Sequence, residues 1–176
     1  MGCIRKREVV VTVILREQNV CLNIGEKAPD FSLQDQNGND VRLSDFRGKQ
    51  NVLLVLHPGN LTRSCKDDIH FYRERTDELH ALNTEILLVN MDSAESNAKW
   101  IREIGGLSFP VLSDRVPLGD VSLKYDCFVP KKGYGSRAVF VVDKKGVIRH
   151  IEKIKTLRGA CPDMMRLSDV LLSLKN

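Results

Sequence analysis

Residues 51–68 read NVLLVLHPGNLTRSCKDD, an apolar run that stops at a turn and gives way to helical composition. Val52 to Leu56 are all apolar, as expected of a central strand buried on both sides of a sheet. Pro58-Gly59-Asn60 ends it, because proline offers no N–H to a ladder, glycine admits unusual dihedrals and asparagine suits a turn or cap. From about Leu61 to Leu79, Phe71 and Leu79 fall among charged residues, which predicts one helix with a single face on the sheet. Cys65 then lies in or near the first turn, where unpaired backbone N–H groups favour a thiolate over a thiol.

The neighbours of Cys65 bear on its chemistry. Thr62 stands three residues earlier, so its hydroxyl can share that side of the turn and donate to the sulfur or to an oxygen approaching it. Arg63 adds positive charge, while Asp67 and Asp68 oppose a thiolate although they suit a first helical turn. By spacing alone, a reactive thiol and an inert packing cysteine are equally good readings of Cys65.

Outward from this segment the pattern alternates. Glu85–Asn90 reads as the next parallel strand, and Ser93 opens a helix that carries Trp100 and Ile101 to Gly105-Gly106. Phe109–Leu112 is a short extended segment, Trp100 and Phe109 are read as core aromatics, and Gly119–Tyr125 is a short helix. Arg137–Asp143 and Val147–Ile154 flank Lys144-Lys145-Gly146 as a hairpin, and Leu167–Leu174 closes the chain as an amphipathic helix. The order predicts an α/β architecture, a mixed central sheet with helices on both faces. Residues 1–22 read as an N-terminal extension that adds an edge strand or reaches a second subunit, and residues 23–176 as one domain. Arg137, taken by itself, reads as a surface residue at the start of its strand.

Composition narrows the function classes. The 176 residues are 42% apolar, enough for a sizeable core. No apolar run approaches the length of a membrane span, and Val9–Leu15 is a strand rather than a signal peptide. The formal charge of +4 comes from 27 basic and 23 acidic residues spread along the chain, without the aromatic-studded basic patch of a nucleic-acid binder. Met1-Gly2-Cys3 has Lys6 where a myristoylation signal needs serine or threonine. Five cysteines with no C-x-x-C spacing argue against a disulfide reductase, a zinc ribbon and an oxidised secreted scaffold, and point to a cytoplasmic setting. Nor do His57, His70, His80 and His150 form a metal-ligand spacing; His70 and His80 read as solvated positions.

Three segments in order resemble the peroxiredoxins of the alkyl hydroperoxide reductase and bacterioferritin-comigratory type. They are GEKAPDFSLQDQNGNDVRLSDFRGK from Gly25, then Pro58, Thr62 and Cys65 with Asp68, and SRAVFVVDKKGVIRH with Arg137, Phe140, Asp143 and Gly146. The resemblance runs from about Gly25 to Leu174. It implies a thioredoxin-like fold and a thiol-dependent peroxidase acting on hydrogen peroxide or organic hydroperoxides without a cofactor. It makes Cys65 the peroxidatic nucleophile, with Pro58 shielding the sulfur, Thr62 donating a hydrogen bond and Arg137 reaching in from a neighbouring strand. His57 occupies a position where relatives usually carry an aromatic residue, so it either lines the pocket and tunes its protons or simply packs.

The partners implied are a hydroperoxide, a thioredoxin-like protein or small thiol as reductant, and a second copy in a homodimer. The resolving thiol stays open. His70 stands where one subtype carries it, and Cys161-Pro162 precedes the last helix rather than following it. Cys161 and Cys127 are the internal candidates, beside a one-cysteine route that uses an external thiol. The alternative function is a redox sensor or partner-binding thiol with little peroxide turnover.

Overall fold

The computed structural model describes residues 22–59, 63–129, 133–154 and 162–175. The extension predicted at residues 1–22 lies outside them except for Leu22, which packs against the core. The apolar run is strand β3, Asn51–Leu56, every residue of it buried. Two strands precede it, β1 (Ser32–Gln34) and β2 (Asp40–Arg42). They form an antiparallel hairpin around Asp35, whose Oδ1 accepts the N–H groups of Asn37 and Asn39, both at 2.8 Å.

After β3 come helix α1 (Arg63–Glu74), helix α2 (Thr76–Ala81) and strand β4 (Thr84–Asn90). Sequence predicted one helix here; the chain makes two. Thr76 is buried and turns its hydroxyl onto the carbonyls of Tyr72 and Arg73, at 3.1 and 3.2 Å. Arg75 leaves helical dihedrals at φ −109°, ψ 6°. A threonine that bonds back to the preceding turn competes with the helix ladder, and periodicity alone does not reveal that.

Helix α3 (Ala94–Glu103) is capped by Ser93, whose Oγ accepts the Ser96 N–H at 3.2 Å. Strand β5 (Val111–Ser113), helix α4 (Asp120–Lys124) and a small hairpin of β6 (Phe128–Val129) and β7 (Tyr134–Gly135) follow. The β6–β7 pairing was not foreseen, because two-residue strands carry no period. Gly119, at φ +74°, has Phe128 ring carbons 2.8 Å from where a Cβ would stand, so only glycine fits the start of α4. The predicted late hairpin is β8 (Arg137–Val142) and β9 (Ile148–Ile154), and α5 (Met164–Ser173) closes the fold behind an Asp163 cap.

Among the described residues seven strands form one sheet in the order β2-β1-β5-β4-β3-β8-β9. It is mixed: β3–β4 and β4–β5 are parallel, whereas β3–β8, β8–β9 and β1–β5 are antiparallel. Leu53, Val55, Ile86, Leu88, Val139 and Val141 face one core, covered by α1, α2, α3 and α5. Leu54, Leu56, Leu87, Val89 and Phe140 face the other, covered by α4 and the segment around Phe31 and Leu43. Helices therefore lie on both faces, as the alternating pattern predicted. No helix among the described residues is long and apolar enough to cross a membrane.

Candidate active site

The antiparallel register of β3 and β8 brings the site together. Val55 pairs with Val139 and Leu56 with Ala138, so the next step sets His57 opposite Arg137. Strand residues alternate between faces. Leu53 and Val55 on one strand, with Val139 and Val141 on the other, face the core that α1 covers, and His57 and Arg137 continue those rows. The helix meets them with Asp68. Arg137 Nε lies 3.0 Å from Asp68 Oδ2, and His57 Nε2 lies 3.6 Å from the same oxygen. All three residues are at least 95% buried, at 4%, 5% and 3% exposure.

A buried guanidinium at the start of a strand corrects the surface reading of Arg137. Such a charge is costly unless it is paired, and Asp68 supplies the pair. Asp68 also takes on a different part from the one its sequence position suggested. It is not simply a negative charge opposing a thiolate, since its carboxylate is directed at Arg137 and His57. The available signal was the acid at the family spacing; what it touches depends on register.

Helix α1 begins at Arg63, so Cys65 is its third residue and lies one turn before Asp68. The first N–H groups of a helix have no intrahelical partners. Pro58 is half-buried on the loop that leaves β3. Beside it Gly59 runs at φ +135°, with an Asp92 carboxylate oxygen 3.3 Å from the site of a Cβ, and its N–H donates to His57 Nδ1 at 3.3 Å. Tyr72, Ile154 and Pro162 complete the apolar wall around Arg137. Thr62 and Cys161 lie outside the described residues, although Pro162, next to Cys161, borders this cavity.

Cys127 is buried, with its thiol donating to the Tyr125 carbonyl at 3.2 Å. Burial pushes that thiol up to about 11, against a smaller opposite pull from Lys153. Of the other positions singled out, His70 and Glu74 form an exposed pair at 3.2 Å, and Trp100 and Phe109 are core aromatics. Among the described residues no cluster of histidine, cysteine and carboxylate has the form of a metal site. A cleft of about 490 Å³ between Ser32, Gln34, Ser93 and Ser113 lies beside β1 and the start of α3, away from Arg137. It holds none of the buried charge that marks the Arg137 cavity, and volume alone does not make it the chemical centre.

The chain has clear relatives among known proteins. The family model described as "AhpC/TSA family" matches residues 24–151. Alkyl hydroperoxide reductase E of Mycobacterium tuberculosis is 35% identical over 153 residues, covering 87% of this chain and 98% of that protein. The chloroplastic 2-Cys peroxiredoxin BAS1 of Hordeum vulgare is also 35% identical, over 72% of this chain and 64% of its own length. In structure, the mitochondrial 2-Cys peroxiredoxin of Plasmodium falciparum superposes with a TM-score of 0.73 at 25% identity, covering 86% of this chain and 93% of that one. A thioredoxin-like sheet, a cysteine in the first turn of the helix after its central strand, and a buried arginine on the adjacent strand are thus found in a chain that belongs to the AhpC/TSA family, the peroxiredoxins.

Proposed function

We propose that this peroxidase reduces hydroperoxides through Cys65, with Arg137, Thr62 and Pro58 as its partners. The observation that carries the reading is Arg137, a buried cation held by Asp68 one helical turn beyond Cys65. The thiolate sulfur attacks one peroxide oxygen; an S–O bond forms as the O–O bond breaks, and the departing oxygen leaves with the electron pair and takes a proton as water or alcohol. Charge grows on that leaving oxygen. Donors aimed at it lower the barrier, and Arg137 has the fork of N–H groups to hold peroxide oxygens while favouring the thiolate. The Thr62 hydroxyl donates in the same pocket, and Pro58 keeps water from the sulfur.

Cys65 leaves this step as a sulfenic acid, which a second thiol converts to a disulfide with loss of water. Attack requires a thiolate. Burial that raises the Cys127 thiol disfavours its thiolate, which counts against Cys127. The resolving thiol is then Cys161 or an external one, and a thioredoxin-like protein or small thiol completes the turnover. The position of Pro162 beside the Arg137 cavity supports Cys161.

We place residues 23–176 as the catalytic domain and residues 1–22 as an extension. The family match from residue 24 supports that division. A homodimer is the assembly we propose. The buried free thiol of Cys127 suits a cytoplasmic setting.

Peroxide consumption with thioredoxin or dithiothreitol as donor tests the assignment. Cys65→Ser should abolish it and Arg137→Ala should lower it by orders of magnitude; unchanged turnover in Cys65→Ser removes the proposal. Mass spectrometry without reductant, after one equivalent of peroxide, separates a Cys65–Cys161 disulfide from a lasting sulfenic acid that needs an external thiol. A sensor, by contrast, would react once per chain and stop with reductant still present.

A further inference from the structure

The residue before Pro58 has no role in the chemistry above, yet it is gripped from two sides. His57 continues β3 by donating its backbone N–H to the Val89 carbonyl at 2.9 Å. Its ring lies between the Gly59 N–H, which Nδ1 accepts at 3.3 Å, and Asp68 Oδ2, 3.6 Å from Nε2. A ring nitrogen that accepts carries no proton. In neutral His57 the single ring proton is therefore on Nε2, directed toward Asp68.

We propose that His57 is a positioning residue that keeps Pro58 and Arg137 in working geometry only while its ring is neutral, a reading that rests on the Cys65 chemistry proposed above. Protonation adds a hydrogen at Nδ1. That hydrogen meets the Gly59 N–H donor to donor, so the loop that carries Pro58 loses its hold on the ring. The same proton places a cation beside the oxygen that Arg137 already uses at 3.0 Å. One carboxylate oxygen is then drawn to two cations, and Arg137 loses part of its anchor.

Among the described residues, the charged and titratable groups that border the ring come from three elements. Helix α1 contributes Asp68 and Tyr72 to the lining, with Cys65 one turn before Asp68 in the chain. Strand β8 contributes Arg137, and Asp92, after β4, faces Gly59. The wall formed by Ile154 and Pro162 is apolar. Asp68 draws a proton to the ring, whereas burial and Arg137 oppose it. The centre is thus competent at higher pH and is lost as pH falls through the His57 titration.

Two measurements test this. In Cys65→Ser protein labelled with 15N, the His57 ring nitrogens and the Arg137 Nε–H signal are followed against pH; they should move with one midpoint. An Arg137 signal indifferent to His57 overturns the proposal, and the outcome does not depend on what Cys65 does. In the wild-type chain, the rate constant for hydrogen peroxide is divided by the thiolate fraction obtained from alkylation. The remaining profile should fall about tenfold per pH unit below the His57 midpoint. His57→Asn and His57→Gln, which do not titrate there, should flatten it; an acid limb that persists in either folded variant overturns the proposal. If neither variant folds, the resonance experiment alone decides. Peroxide turnover in Cys65→Ser would remove the Cys65 assignment while leaving the coupling of His57 to Arg137 to stand or fall by its own signal.

Discussion

Replacing Arg137 with alanine leaves the Asp68 carboxylate buried, at 5% exposure, without the guanidinium 3.0 Å away. Breaking a buried pair from one side costs about 3–5 kcal/mol. Arg137→Ala should therefore lower the urea midpoint as well as the peroxide rate, and Asp68→Asn in addition should recover part of the stability without recovering the rate. A double-mutant cycle reads the coupling. The residue scale is also where sequence said least. Cys65, Pro58 and the spacing between them are visible as a pattern, whereas Arg137 has no mark of burial in a run of amino acids. Its partner is Asp68, 69 positions away, and only the strand register brings the two together.

Elements were more legible, to the degree that a period could fill them. Strands β3 and β4, the Ser93 cap and the β8–β9 hairpin follow from apolar runs and turn residues; the α1–α2 break and the β6–β7 hairpin depend on single contacts. The β8–β9 turn shows how one side chain secures an element. Asp143 accepts N–H groups from Lys145 and Val147 at 2.8 and 2.9 Å, and Arg149 binds it through Nε and Nη2 at 2.7 and 2.6 Å. Burial alone would raise this carboxyl, but the Val147 N–H and Arg149 outweigh it and hold it below the usual range. A depressed folded value adds stability above the unfolded value, and that stability is lost as pH falls through the folded one. The urea midpoint of Asp143→Asn should thus be lower than wild type near neutrality, with the gap narrowing on acidification. A gap independent of pH would mean that the carboxylate contributes through shape rather than charge.

At the scale of the whole molecule, the sheet separates two cores that neighbouring residues of β3 enter from opposite sides. Leu53 faces Ile69 and Tyr72 of α1, while Leu54 faces Phe140 and Tyr125. Both leucines are fully buried. Truncating either to alanine should cost about 2–5 kcal/mol. Leu53→Ala should also slow peroxide reduction, because it loosens the helix that carries Cys65 and Asp68; Leu54→Ala, at similar cost in unfolding experiments, should slow it much less. Equal kinetic losses would show that the faces are mechanically coupled through the sheet. The mixed α/β class and the two helical layers were legible because they need only the order of apolar segments, but the strand order was not. β3 lies between β4, next in sequence, and β8, more than eighty residues later.

That placement has a temporal side. A ribosome adding about 5–20 residues per second takes about 3–14 s to pass from Asp68 to Arg137. Throughout that interval the growing chain already contains Cys65, His57 and Asp68, but the strand that brings the arginine does not yet exist. Residues 25–28 must wait longer still, since Gly25 and Ala28 bond to the Ile148 and Gly146 carbonyls. On the mechanism proposed above, the chain is therefore born with Cys65 in place and without the cation assigned to activate it, and completion of β8 and β9 is the event after which such a site can first work.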